Sequence, residues 1–183
     1  MREIELKYKI NDNQDIIGIL NSLGCDLSGE IVQKDKVYSR KIDNKHSVFR
    51  IRTQEYRGIE KTLLTLKQDI TSELDCLESE IEVDDADKTE EMLEILGFKF
   101  GVEVSKKRRK GNWRGVTVCF DTVEGLGDFI ELEYLTDAED VDAELEIKKL
   151  EGRMSETGIE GYERVFKGYD SLLLEKIIIN TYL

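Results

Sequence analysis

The first ten residues, Met1–Ile10 (MREIELKYKI), interleave Glu3, Glu5 and Lys7 with Ile4, Leu6 and Tyr8. Strand side chains repeat every two residues, so this pattern predicts a β-strand with one charged and one apolar face. Such a strand either turns its charges to bulk water or lines something with them. The rest of the chain repeats the pattern. Phe49 and Ile51 oppose Arg50 and Arg52, Leu64 and Leu66 oppose Thr65 and Lys67, and Glu78, Glu80 and Glu82 share a face. Further on, Val118 and Phe120 oppose Thr117, Cys119 and Asp121, while Ile130, Leu132 and Tyr134 oppose Glu131 and Glu133. A wet face on an open antiparallel sheet explains any one of these strands. Paired arginines, a lone lysine and paired carboxylates on neighbouring strands are better explained together. If the sheet closes and helices cover its apolar outside, the charges converge in a polar lumen.

Strand signals fall at about 1–10, 30–40, 47–54, 61–69, 77–84, 98–109, 114–122 and 128–135. Helical spacing occurs at Asp12–Gly24, with Ile16, Ile17, Ile19, Leu20 and Leu23, and at Asp85–Gly97, with Met92, Leu93, Ile95 and Leu96. A third helix is expected over roughly 138–151, acidic at its start and carrying Lys148 and Lys149 near its end, as the macrodipole prefers. A last short helix is expected over 169–176. EIELKYKINDNQDIIGILNSLG and ESEIEVDDADKTEEMLEILG share alternating glutamates, an acidic turn, a helix and a closing Leu-Gly. They suggest an internal duplication in which each copy supplies one strand, one helix and about three more strands.

The 183 residues suit one domain spanning 1–183 with a sizeable core, mainly β with packed helices. No apolar run approaches a membrane span, and no leader with a cleavage site is visible. Cys25, Cys76 and Cys119 are odd in number and far apart, which reads as buried thiols in a reducing cytoplasm. A formal charge of -13 argues against a protein that coats nucleic acid. It leaves room for a small anion held by a local basic cluster together with a divalent cation. Buried charges need partners. A ligand bearing anionic oxygens for Arg and Lys, bridged to the carboxylates by a hard cation such as Mg²⁺ or Mn²⁺, meets that need. A metal-bound polyphosphate is the simplest such ligand. His46, the only histidine, sits in a polar NKHS stretch and reads as a surface turn residue. Trp113 reads as packing, and Gly125-Leu126-Gly127 as a turn before a strand, since no phosphate-loop string is present.

Glu3-Ile4-Glu5-Leu6-Lys7 resembles the E-x-E-x-K signature of the CYTH superfamily, the triphosphate tunnel metalloenzymes. Later stretches match in order: FRIR (49–52), LTLK (64–67), ESEIEV (78–83), VSKKR (104–108) and FDTVEGLGDFIELE (120–133). The last is the most specific and is similar to the form in class IV adenylyl cyclases and their relatives; GYDSLLLEK resembles the family's closing helix. The resemblance implies a closed eight-stranded antiparallel barrel, with helices outside, whose tunnel holds a triphosphate and Mg²⁺ or Mn²⁺. It implies that Glu3, Glu5, Asp121, Glu131 and Glu133 serve the metal, and that Lys7, Arg50, Arg52, Lys67, Lys106 and Arg108 serve the phosphates. Glu80 and Glu82 would form a second carboxylate pair. Lys7 is also the candidate catalytic residue, orienting or deprotonating the attacker if neighbouring cations depress its pKa. Lys106 and Arg108 would point inward, with Lys107 and Arg109 outside. Two departures stand out: Val37 replaces an aromatic in a string similar to Q-x-D-x-Y-F (Gln33, Asp35, Val37, Tyr38), and Glu78 stands where an arginine is frequent.

The expected function is thus a cytoplasmic, metal-dependent adenylyl cyclase of class IV type. The alternative is a triphosphatase acting on thiamine triphosphate, inorganic tripolyphosphate or a nucleoside triphosphate. The partner is the small triphosphate rather than nucleic acid or membrane, and the family's members point to a homodimer. A non-catalytic polyphosphate- or nucleotide-binding module would keep the basic ring but could lose the metal carboxylates.

Overall fold

The structure, a computed structural model, describes residues 1–11, 14–42, 45–138 and 140–182, with side chains described for these except at 41, 42, 45, 46 and 180–182. The elements run β1 (Arg2–Ile10), α1 (Ile16–Ser22), β2 (Ile31–Ile42), β3 (Lys45–Tyr56), β4 (Ile59–Ser72), β5 (Asp75–Val83) and α2 (Ala86–Ile95). They continue with β6 (Lys99–Trp113), β7 (Val116–Val123), β8 (Gly127–Thr136), α3 (Ala143–Glu156), β9 (Tyr162–Val165) and α4 (Tyr169–Tyr182). The backbone of His46 belongs to β3; its side chain, and so its expected surface role, lies outside the described residues.

Among the described residues, nine strands form one antiparallel sheet in the order β5-β4-β3-β2-β6-β7-β8-β1-β9, and a β5–β1 pairing closes the first eight into a barrel. Closure is uneven. Arg2–Ile4 of β1 pair with β5, whereas Lys7–Ile10 pair with β9, so β1 divides one edge between two partners. The element order follows the duplicated plan: β1-α1-β2-β3-β4, then β5-α2-β6-β7-β8. Each half ends in a three-strand meander; the halves meet at β2–β6, and the first strand of each lies beside the last strand of the other. Tight turns join β3 to β4 and β6 to β7. Arg57-Gly58 and Arg114-Gly115 all have positive φ, the primed-turn conformation that matches strand twist.

Outside the barrel, Ile4, Leu6 and Tyr8 of β1 pack with Val118, Ile130 and Leu132 against Ile16 and Leu20 of α1 and Leu150 and Met154 of α3. Trp113 belongs to this cluster, its indole N–H donating to the Leu23 carbonyl at 3.0 Å. α2 covers the opposite side more thinly, through Leu93 against Tyr38 and Ile51. A third cluster joins Val37, Val102, Val104, Val123 and Phe129 to Tyr169 and the leucines of α4. By strand parity these valines share the inward face with Asp35, Lys106 and Asp121, so α4 seats on an apolar end of the lumen. All three cysteines are buried and free.

Candidate functional site

The register carries the charges into one chamber. On the inward face, Arg50 stands opposite Thr65, Thr65 opposite Glu80, and Lys67 opposite Glu78. Across the other wall Glu5 faces Glu133, Arg108 faces Asp121, and Cys119 faces Glu131. Because each neighbouring pair preserves the two-residue parity, every charged face predicted from sequence turns the same way. The resulting cavity is about 200 Å³. Its walls include Glu3, Glu5, Lys7, Arg50, Arg52, Lys67, Lys106, Arg108, Glu131, Glu133 and Glu80. Lys106 and Arg108 are buried and Lys107 is exposed, as the resemblance implied.

Two predicted residues differ from the rest in their setting. Asp121 is wholly buried and accepts hydrogen bonds from Arg108 Nε (2.7 Å), Lys106 Nζ (3.2 Å) and the Tyr169 hydroxyl (3.1 Å). Glu82 is exposed and takes a hydrogen bond from Lys61 at 2.8 Å. Residues not assigned a role from sequence also belong to the chamber, Asp35, Glu78, Lys110 and Tyr169 among them. Asp35 receives two hydrogen bonds from Arg52, each 2.7 Å; Glu78 pairs with Lys67 at 2.9 Å; and Tyr169 stands over the lysines. Glu78 lay on a face read from the sequence, but its pairing depends on register across strands. The alternation of β2, with Gln33, Asp35 and Val37 on one face, was the available signal.

Ion pairs set the electrostatics. Burial alone would lower the pKa of Lys7, but Glu5 (3.0 Å) and Glu131 (3.2 Å) outweigh it, and the ammonium is held above its ordinary value. The condition under which Lys7 would act as a base, depression by neighbouring cations, is therefore not met: its neighbours are carboxylates. For Lys106 burial and then Arg108 lower the pKa, against the pull of Asp121. Burial opposes ionisation of Glu131, yet Arg108, Lys7 and Lys106 hold it well below the usual carboxylate range. Glu5 goes the other way: burial, reinforced by Glu131 and Glu3, pushes it up to about 8.

These features fit a divalent cation. Glu3, Glu5, Glu131 and Glu133 crowd one wall, and Glu5 Oε1 is buried without a hydrogen bond although it lies beside Lys7. Ligand atoms of Glu131, Glu133 and Cys119 lie within 4.8 Å of one another. Carboxylate oxygens suit a hard ion such as Mg²⁺ or Mn²⁺, whereas the Cys119 thiol, its pKa raised well above normal by burial, is a poor ligand for one.

The CYTH domain family profile matches residues 1–164. This chain belongs to the CYTH family. CYTH proteins are metal-dependent enzymes, adenylyl cyclases and triphosphatases among them. The chain is 27% identical to the adenylate cyclase CyaB of Aeromonas hydrophila over 187 residues, 98% of this chain and 92% of that protein. The solved structure of PH1819 from Pyrococcus horikoshii is 34% identical with a TM-score of 0.78, covering 95% of this chain and 99% of that one. The Hippeastrum protein HpAC1, named for adenylyl cyclase and described by a dominant triphosphatase activity, shares the fold at 19% identity and a TM-score of 0.65, covering 96% of each chain. Among the described residues of this CYTH protein, no helix is long and apolar enough to cross a membrane.

Proposed function

We propose that this CYTH protein is a metal-dependent enzyme that takes a triphosphate into the barrel and converts ATP to cyclic AMP and pyrophosphate. The observation that carries the reading is the convergence of seven cationic residues, Lys7, Arg50, Arg52, Lys67, Lys106, Arg108 and Lys110, with Glu3, Glu5, Glu131 and Glu133 on the walls of one cavity. Arg50, Arg52, Lys67, Lys106 and Arg108 bind and orient the phosphates, the arginines through paired N–H donors. Glu3, Glu5, Glu131 and Glu133 would hold Mg²⁺ or Mn²⁺, with Glu80 near the rim. Asp121, wholly buried and bonded to Lys106 and Arg108, serves them by holding those cations in place. A bound ion there supplies neutralisation of phosphate charge.

In the cyclase reading the ribose 3′-hydroxyl attacks the α-phosphorus and pyrophosphate leaves. Lys7 stays an ammonium in this reading: it neutralises phosphate charge and leaves the hydroxyl proton to another acceptor. The second reading is hydrolysis of a triphosphate by water. Val37 favours it, because this buried aliphatic lines the cavity where an aromatic could have fixed a base or sugar. Cyclisation needs such contacts to fold the ribose over the phosphate, an orientation requirement worth several kcal/mol.

Incubating the pure protein with ATP and Mn²⁺ separates these readings. Cyclic AMP with equimolar pyrophosphate supports cyclisation, and ADP with orthophosphate and no cyclic product replaces it with hydrolysis. Excess chelator should abolish either activity, and full turnover in chelator would refute the metal-dependent reading.

A further inference from the structure

We propose that Tyr169 is a positioning residue of this site: it fixes the directions in which Lys7 and Lys106 enter the cavity and completes the hydrogen-bond shell of Asp121. The inference rests on the triphosphate reading of the cavity and assigns a role to a residue outside the barrel strands.

Tyr169 opens α4, and the backbone before it is tied down twice. The Gly168 N–H donates to Glu73 Oε2 at 2.8 Å, and the Lys167 carbonyl accepts from Lys7 Nζ at 3.3 Å. The side chain is buried, its ring edge-on to Phe129 at 5.0 Å. With both ends so held, the ring lies 4.2 Å from Lys7 Nζ and 4.9 Å from Lys106 Nζ. The π face of an aromatic ring attracts a cation, more strongly where water is excluded. Two flexible four-carbon stems are thus directed by one rigid plate.

The hydroxyl does the second task. It donates to Asp121 Oδ2 at 3.1 Å, alongside Lys106 Nζ at 3.2 Å and the Arg108 guanidinium. Asp121 is wholly buried and accepts from both cations, so in this arrangement it acts as a strut for Lys106 and Arg108. Tyr169 supplies its one donor from outside the barrel strands. Packing of α4 alone would not require this chemistry, because Leu172, Leu173 and Leu174 join Val165 in seating the helix. A residue that only filled space here could be aliphatic.

The test compares Tyr169→Phe, which keeps the ring, with Tyr169→Leu, which removes both features. Turnover is measured with Mn²⁺ on whichever of ATP or tripolyphosphate the wild type consumes, alongside thermal melting and calorimetric binding of tripolyphosphate with Mg²⁺. Both variants should be folded at the assay temperature. The expected order of kcat is wild type, then Phe, then Leu, with Leu lower by about tenfold or more and KM within about threefold, since small misplacements of catalytic groups act mainly on the transition state. A folded Tyr169→Leu with wild-type kcat and KM overturns the proposal, as does a loss that merely tracks the unfolded fraction. If the Leu variant fails to fold, Tyr169→Phe decides: a melting curve like wild type with kcat about threefold or more lower supports the role, and unchanged kcat refutes it. Wild-type protein that neither binds nor turns over a triphosphate fails the underlying reading instead, so the two failures are distinguishable.

Discussion

β1 and β5 occupy corresponding places in the two halves of the barrel, yet they meet different fates. Both alternate glutamates with apolar residues. On β1, Glu3, Glu5 and Lys7 are buried inward, and Ile4, Leu6 and Tyr8 are buried outward beneath helices. On β5, Glu78 pairs with Lys67 inside, but Glu82 is solvent-exposed and Leu77 and Ile81 lie bare on the outer face. The cause is the neighbours. β1 pairs along its length with β8, takes β5 and β9 on its other edge, and packs under α3. β5 pairs fully with β4 and with β1 only at Asp75–Leu77. Alternation therefore specifies which face a residue takes; depth is set by what covers that face.

The sharpest way to break this comparison is to place the same charge on both outer faces. Ile4→Asp puts an unpaired carboxylate into a fully buried position and should cost more than ~4–5 kcal/mol, leaving little folded protein. Ile81→Asp, at a site 61% exposed, should change stability by no more than ~0.5 kcal/mol. Melting curves check both, and similar curves for the two variants would mean that the outer faces are misassigned.

A second contrast sets the buried Asp35–Arg52 pair against the exposed Lys61–Glu82 pair. Asp35→Asn should destabilise the protein by about 3 kcal/mol near neutral pH, because it strands a buried guanidinium. The pH dependence has a definite sign. Burial opposes ionisation of Asp35, but Arg52 holds its pKa well below the ordinary 3.8, so its stabilisation is present above 3.8 and is lost as the pH falls below it. The gap between wild type and Asp35→Asn should therefore shrink in acid. A gap that widens there would contradict the pairing.

On the catalytic side, Glu131→Gln should lower metal-dependent turnover by roughly a hundredfold, about 2.7 kcal/mol in the barrier, while the protein stays folded. Glu82→Gln should leave kcat/KM within about twofold, although its strand reads like the others in sequence. Equal losses would restore Glu82 to the site. The smallest effect belongs to the Lys61–Glu82 pair, whose double-mutant coupling should lie between about 0 and 1 kcal/mol.

The contrast between β1 and β5 also marks what could be read in advance. All eight barrel strands were legible because alternation is local. The four-residue β9 was not, since it exists by pairing with the far end of β1. The third helix was expected over 138–151 and occupies Ala143–Glu156, because Asp142 caps it, accepting from the Leu145 N–H at 3.1 Å, and leaves the preceding acidic residues outside. The inward faces of the candidate residues followed from parity, but partners did not. Lys7 acquired carboxylate neighbours because β1 lies beside β8 with Lys7 opposite Glu131, a register that no local pattern encodes. Asp121 shares the face that alternation gives it, while its hydrogen bonds to Arg108 and Lys106 depend on the register of β6 against β7.

The most direct test of the central claim, that the inward charges form a metal–triphosphate site, is a calorimetric titration of the wild-type protein with tripolyphosphate, once with Mg²⁺ and once with excess chelator. Saturable one-to-one binding with Mg²⁺, strongly weakened by chelator and accompanied by a rise in melting temperature, is the predicted result. Absence of binding under both conditions would contradict it.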